Sequence, residues 1–73
     1  MYGGMQMLAK EMFKKLGYKR TKNNKNEVEY IHKIIYDGAK YIFFNKQNKW
    51  VETFEYITLD ELQAINKQVG ELG

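Results

Sequence analysis

The chain has 73 residues with no cysteine, one histidine and a formal net charge of +3, which is the length of one small domain near the lower limit for independent folding. The lack of cysteine excludes disulfides and thiolate metal sites, and the single His32 cannot build a zinc site by itself. The longest apolar runs are a few residues, far short of the ~20 that a membrane-spanning helix needs.

The first predicted element is a short amphipathic helix between Met7 and Leu16. Its apolar residues recur at three- and four-residue spacing, the period of a helix; they are Leu8, Ala9, Met12, Phe13 and Leu16. Gly17 follows in the position that commonly ends a helix, because glycine adopts positive φ without strain. We expect residues 1–5 to be disordered or vector-derived, and they take no part in the predicted fold.

Residues 19–26 contain no apolar side chain and three asparagines, which predicts an exposed loop. This loop lies in the basic part of the chain. Residues 1–26 carry seven Lys and Arg against the single acid Glu11, whereas the remaining residues carry five Lys against eight acids. The basic part would attract a polyanion, and the acidic part would weaken that attraction.

Three strands joined by tight turns are predicted next. They cover residues 28–36, 39–45 and 49–55. Asp37-Gly38 is the sequence of a two-residue type I′ hairpin turn, which needs positive φ at both positions. The second turn reads as a type I turn closed by Asn48 in the left-handed conformation. The strands therefore form an antiparallel meander.

The second helix has the clearest start in the chain. Thr58 and Glu61 have the spacing of a capping box, in which each side chain accepts the backbone N–H of the other residue. One apolar stripe follows, made of Leu62, Ile65, Val69 and Leu72. The predicted order is α-β-β-β-α over residues 1–73, an α+β domain in which a three-stranded antiparallel meander packs against two helices.

The predicted turns divide the strand residues between two faces of the sheet. The first face carries Val28, Tyr30, His32, Ile34, Tyr36, Tyr41, Phe43, Val51 and Thr53. The second face carries Ile31, Lys33, Ile35, Lys40, Ile42, Phe44, Trp50, Glu52 and Phe54. Burying Lys33 or Glu52 without a partner would cost more than one apolar side chain returns. We therefore expect both helices to cover the first face.

The second face then predicts a protein interface, because large apolar side chains exposed together are typical of binding surfaces. Its candidate residues are Ile35, Ile42, Phe44, Trp50 and Phe54. The partner would be a second copy of the chain, giving a homodimer, or another protein. If the helices instead cover opposite faces, these residues are core and no interface remains.

The alternative function is binding of single-stranded nucleic acid. Phosphates would be contacted from the basic loop by Lys19, Arg20, Lys22 and Lys25. Aromatic side chains of the sheet would stack the bases. Against this alternative, the chain has no known nucleic-acid motif, and Glu52 and Glu55 lie beside the aromatic residues.

Catalysis needs a nucleophile with its base, paired carboxylates, or a metal with an open position. The chain offers His32 in the middle of a strand, where a packed, hydrogen-bonded histidine is the simpler interpretation. The sequence has no glycine-rich phosphate loop followed by a helix. We therefore predict a protein that is not an enzyme, with no catalytic residue, metal or cofactor.

Residues 9–18 (AKEMFKKLGY) and 56–68 (YITLDELQAINKQ) resemble small uncharacterised proteins of phages and prophages in low-GC Gram-positive bacteria. The resemblance spans most of the chain and rests on helix patterns and caps. It implies an accessory protein in the cytoplasm of the bacterial host, which would bind a host or phage protein. It implies no activity for any residue.

Overall fold

The computed structural model describes residues 7–34 and 38–73, so the predicted terminal segment 1–5 and Asp37 of the predicted first turn lie outside the described residues. The helices and strands are α1 (Ala9–Lys15), β1 (Lys19–Asn23), β2 (Glu27–Ile34), β3 (Gly38–Asn45), β4 (Trp50–Thr53) and α2 (Leu59–Leu72). The strands form an antiparallel sheet in the order β1-β2-β3-β4. The α+β class is confirmed, but the predicted three-stranded meander is wrong, because the sheet has four strands.

β1 is the strand that the sequence did not predict, and it lies within the expected basic loop. An edge strand needs a hydrogen-bonding partner on one side only, and lysines are common there because they discourage pairing with other chains. Four of the five residues of β1 are exposed. The turn into β2 is closed by Asn24, whose Oδ1 accepts the backbone N–H groups of Asn26 and Glu27, each at 2.9 Å. The segment is therefore a strand without any apolar periodicity.

The register between β2 and β3 also differs from the predicted one. Ile34 pairs with Gly38, so three residues connect the strands. A two-residue turn at Asp37-Gly38 would have paired Tyr36 with Ala39. The two registers differ by an odd number of residues, and an odd shift exchanges the faces of a strand.

This exchange turns Ile42 and Phe44 of β3 toward the helices. Ile42 pairs with Tyr30, and Phe44 pairs with Val28. All four side chains are at most 2% exposed. The observed register thus collects the apolar residues of both central strands on one face, and this burial outweighs the preference of a two-residue turn.

β4 is displaced by one residue from its predicted pairing. Asn45 pairs with Trp50, which leaves residues 46–49 as a four-residue loop. The loop is closed by Lys49 at a φ of 59°, and not by Asn48 as predicted. Asn45 organises this loop, because its Oδ1 accepts the N–H of Asn48 at 2.8 Å and its carbonyl accepts the N–H of Lys49 at 2.9 Å.

α1 and α2 both pack on the face that carries Tyr30 and Phe44. Phe13 of α1 stacks on Tyr30 with ring centroids 4.0 Å apart and meets Phe44 edge-on at 6.3 Å. The N–H of Ala9 donates to the Glu71 carboxylate of α2 at 2.7 Å. The buried core consists of Ala9, Phe13, Tyr18, Val28, Tyr30, Ile42, Phe44, Ala64 and Ile65. The prediction that both helices cover one face is confirmed.

α2 begins as predicted, but Ile65 is the one residue of its predicted stripe that it buries. The capping box is present, with Glu61 N–H donating to the Thr58 hydroxyl at 3.0 Å and Thr58 N–H donating to Glu61 Oε1 at 2.8 Å. The residues that the helix buries are Glu61, Ala64, Ile65 and Gln68. The exposed fractions of Leu62, Val69 and Leu72 are 41%, 52% and 38%. α2 is therefore rotated about its axis so that its most apolar side does not face the core.

Two hydroxyl groups in the core account for this rotation. Tyr18 donates to Glu61 Oε2 at 2.7 Å, and Tyr30 donates to Gln68 Oε1 at 2.6 Å. Glu61 also accepts Lys40 Nζ of β3 at 2.9 Å. A buried hydroxyl without a partner costs about 1–3 kcal/mol. Glu61 and Gln68 are two helical turns apart and lie on one side of α2, so both acceptors reach the core together.

The same contacts shift the pKa values of Glu61 and Tyr18. Burial raises the pKa of Glu61, but hydrogen bonds from Tyr18, Lys40 and the Thr58 backbone, with the charge of Lys40, outweigh burial and hold that pKa below its ordinary value of 4.5. The pKa of Tyr18 is raised, first by burial and then by its bond to the Glu61 carboxylate. Glu61 is therefore the charged acceptor and Tyr18 the neutral donor.

Substitution of the glycines gives a matched test of the turn after α1. Gly17 has a φ of 94°, and a Cβ there would lie 2.5 Å from His32 Nε2. We expect Gly17→Ala to lower the free energy of unfolding by about 2 kcal/mol or more, from strain and overlap. A Cβ at Gly70 in α2 would meet open space. Gly70→Ala should therefore raise the free energy of unfolding by about 0.5–1 kcal/mol. Urea denaturation measures both, and equal stabilities would contradict this packing.

Glu61 should also make stability depend on pH. A carboxylate with a lowered pKa in the folded state stabilises the protein above the ordinary pKa, and this contribution is lost as pH falls through the folded value. We expect Glu61→Gln to cost about 1–3 kcal/mol at pH 7. The loss should shrink below the ordinary pKa of 4.5. Urea denaturation of both proteins at neutral and acidic pH checks this, and a pH-independent difference would refute it.

Candidate functional site

One open surface is the sheet face opposite the helices, here called the outer face. It carries Ile31, Tyr41, Phe43, Trp50, Glu52 and Phe54, with Lys19, Lys22 and Glu29 at the β1 side. The Phe43 and Trp50 ring centroids are 5.7 Å apart, and those of Tyr41 and Phe54 are 5.8 Å apart. These aromatic side chains pack on one another across the strands, and no helix of the described chain covers them.

The outer face carries charges of both signs. Lys19 and Lys22 of β1 stand against Glu27, Glu29 and Glu52. Lys22 Nζ lies 5.9 Å from the centre of the Phe43 ring. Several of these polar groups are already engaged, because Glu29 accepts the Thr21 hydroxyl at 2.9 Å and Glu52 accepts the Tyr41 hydroxyl at 2.8 Å. The last bond raises the pKa of Tyr41.

The predicted interface residues do not all lie on this face. Trp50 is 43% exposed, and the half-buried Phe54 lies beside Tyr41. Ile42 and Phe44 are 0% and 2% exposed, so their prediction as surface residues is wrong; the odd register shift turned them into the core. Ile35 lies outside the described residues.

The predicted nucleic-acid contacts are also divided. Lys19 and Lys22 lie on the outer face, because they pair with Ile31 and Glu29. Arg20 pairs with Tyr30 and lies on the helix side. Lys25 lies in the exposed turn between β1 and β2. The four cations therefore do not converge on the aromatic side chains.

The second open surface is a groove of about 410 Å³ between β4 and the C-terminal half of α2, here called the α2–β4 groove. It is lined by Phe44, Asn45, Lys46, Lys49, Trp50, Val51, Val69, Leu72 and Gly73. Val51 pairs with Phe44 and so points to the helix side of the sheet, yet it is 40% exposed. The groove is thus the strip of this face that the two helices leave uncovered.

The groove follows from the rotation of α2. Because the helix aims Glu61 and Gln68 at the core, its apolar side, with Val69 and Leu72, is left beside β4. Sequence patterning identified one apolar stripe, and the structure divides it between the buried Ile65 and the exposed Leu62, Val69 and Leu72. No local signal distinguishes the two outcomes, since the exposure depends on which side of α2 meets Tyr18 and Tyr30.

The groove runs beside an open edge of the sheet. β4 is the last strand in the sheet order. Phe54 N–H donates to the Tyr41 carbonyl at 3.0 Å, so by the alternation of antiparallel pairing the N–H and C=O groups of Val51 and Thr53 point away from β3. The apolar floor and the free backbone groups are therefore next to each other.

Cations lie at one end of the groove. Lys46 and Lys49 are among its lining residues, and none of the lining residues is an acid. Lys46 Nζ donates to the Asn24 carbonyl at 2.7 Å, while Lys49 is exposed. Lys46 begins the segment 46–55, which contains β4, and Glu52 and Glu55 lie toward the other end of this segment and are also exposed. The segment is thus basic at its start and acidic at its end.

Features of other kinds of site are limited in the described chain. Its residues contain no cluster of three or more His, Cys, Asp or Glu that could hold a metal ion. His32 packs edge-on against Tyr18 with ring centroids 5.1 Å apart, beneath Gly17, so the packing part of the prediction for this histidine is confirmed. Among the described residues, no helix combines the length and apolarity needed to cross a membrane.

Comparisons of the chain with protein-family models, with curated proteins and with solved structures found no match. The resemblance to phage and prophage proteins therefore stays a prediction. Within the described residues, the outer face and the α2–β4 groove are the candidate binding surfaces.

The exposed stripe of α2 should contribute little to folding of the single chain. Val69 is 52% exposed, whereas Ile65 on the adjacent side of the helix is 5% exposed. We expect Val69→Lys to change the free energy of unfolding by less than about 0.5 kcal/mol, and Ile65→Ala to lower it by about 2–4 kcal/mol. Denaturation of dilute protein followed by Trp50 fluorescence measures both. A Val69→Lys loss as large as that of Ile65→Ala would mean that the stripe is core.

Proposed function

We propose that the chain is a small protein-binding module that acts by association and not by catalysis, and that the α2–β4 groove is its binding surface. The main support for this proposal is which side chains of α2 are buried and which are exposed. The helix buries Glu61 and Gln68 and leaves Leu62, Val69 and Leu72 between 38% and 52% exposed. A stripe of this kind is stabilised when another protein covers it.

The composition of the groove favours a protein partner. Burial of apolar surface contributes roughly 25 cal/mol per Å², and the groove offers Val51, Val69 and Leu72 together. Trp50 at its edge is a residue type that often dominates interface energies. The free edge of β4 supports the same conclusion, because an added strand would form backbone hydrogen bonds along it.

The outer face gives weaker support to nucleic-acid binding. Phosphates require an excess of cations, whereas Lys19 and Lys22 are matched on this face by Glu29 and Glu52. We therefore favour protein association over the nucleic-acid alternative.

The biological setting that we propose comes from the resemblance to phage and prophage proteins. Such a module would work in the cytoplasm of a Gram-positive host as an accessory protein, by holding another copy of itself or a host or phage protein. The α2–β4 groove would be the surface of contact in either case.

Site-specific photocrosslinking tests the proposed function. The photoreactive residue p-benzoylphenylalanine is placed at Val69 in the groove or, as the matched control, at the exposed Gln63 of α2, and the full chain is expressed in a Gram-positive host. We expect a discrete protein adduct from position 69 only, which Leu72→Lys abolishes. No adduct at position 69, or the same adducts from both positions, would refute the proposal.

A further inference from the structure

We propose that the partner in the α2–β4 groove is a second copy of the chain, joined edge to edge through β4 around a twofold axis. This inference rests on the proposed function of the groove and names its occupant. It follows from three properties of one segment and its neighbouring helix: the order of charges, the direction of the free backbone groups, and the apolar stripe.

The order of charges around β4 is complementary to itself. Lys46 and Lys49 precede Val51, and Glu52 and Glu55 follow it. Two copies related by a twofold axis present the same surface to each other in opposite directions. The basic start of one segment therefore meets the acidic end of the other, whereas a parallel arrangement would bring like charges together.

The backbone of β4 fits the same axis. The N–H and C=O groups of Val51 point away from β3 by the alternation that the Phe54–Tyr41 bond sets. A twofold axis at Val51 would let each copy donate its Val51 N–H to the Val51 carbonyl of the partner subunit. Trp50 would then lie opposite Glu52 of the partner subunit. Lys49 would lie two residues along the strand from the position opposite the partner subunit's Glu55. Both strands thus share a hydrogen-bonded antiparallel register.

The helices complete the interface. Joining the sheets at β4 places both copies of α2 on the same side of one continuous eight-stranded sheet, running in opposite directions. Val69 and Leu72, which line the groove on each helix, then face the same residues of the other copy across the paired Val51 side chains. Each copy covers the groove of the other, and the open edge at β4 disappears.

The size of the chain gives a reason for such an arrangement. With 73 residues and no cysteine, the domain has few means of stabilisation beyond its own core. Association of identical subunits is one of the common additions in domains of this length.

The first test is the molar mass of the full chain in solution. Sedimentation equilibrium at low ionic strength, from micromolar to millimolar concentration, should give a species of twice the 8.7 kDa chain mass. Val69→Lys should leave a monomer, and Gln63→Lys, on another side of α2, should leave the dimer intact. A monomer at every concentration would overturn the inference, as would a dimer that Val69→Lys does not weaken.

A charge reversal then tests the twofold arrangement. Lys49 and Glu55 are both exposed, so reversing them should leave the fold of each subunit intact. Lys49→Glu or Glu55→Lys alone should raise the dissociation constant roughly tenfold, because each creates like-charge contacts at two symmetric positions. The double variant that carries both changes restores the self-complementary order of charges. Its dissociation constant should return to within roughly threefold of that of the unchanged protein. Failure of the double variant to recover would overturn this arrangement.

The outcomes for the occupant and for the groove are separable. If the chain is monomeric but crosslinks at position 69 to a different protein, the groove is a binding surface and the second copy is the wrong occupant. If position 69 gives no adduct and the chain is monomeric, both the occupant and the proposed function fail. An adduct at position 69 with the mass of two chains supports both.

Discussion

Tyr18 and Tyr30 carry hydroxyl groups into the space between the sheet and the helices, and each donates to an acceptor on α2. Glu61 and Gln68 are these acceptors, and both are buried although the helix has more apolar residues available. The cost of an unpartnered buried hydroxyl exceeds the gain from burying one partly exposed methyl group more deeply. The two bonds therefore decide which side of α2 meets the sheet, and Lys40 strengthens this choice through its ion pair with Glu61.

The surface of the protein follows from that choice. The side of α2 that turns inward carries Glu61, Ala64, Ile65 and Gln68. This leaves Val69 and Leu72 beside the uncovered strand β4, and an apolar groove results. The outer face of the sheet is a different kind of surface, because its aromatic rings pack on one another and it carries charges of both signs. The groove combines the free backbone groups of β4 with the exposed apolar side chains of Val51, Val69 and Leu72. The association that we propose would cover the apolar residues of α2 that a single subunit leaves exposed.

Local signals were reliable where they act over a few residues. The capping box of Thr58 and Glu61 is present, and Gly17 has the positive φ expected after α1. Predictions that required distant residues to align were less successful. Asp37-Gly38 suggested a turn whose register placed Ile42 and Phe44 on the wrong face of the sheet. β1 was not predicted, because an edge strand of lysine and asparagine has no apolar periodicity. The candidate interface contained the same error in register, because Ile42 and Phe44 are buried, whereas Trp50 and Phe54 lie on the outer face.

The sequence by itself determined the α+β class, the end of α1, the start of α2 and the absence of disulfides. A cap closes within four residues, so its hydrogen bonds are decided by neighbours in the chain. The tertiary structure alone decided the fourth strand, the faces of β3 and the rotation of α2. Strand faces alternate with every residue, so a shift of register by an odd number reverses them. The rotation of a helix depends on partners such as Tyr18 and Tyr30, which lie 43 and 38 residues away from Glu61 and Gln68 in the chain.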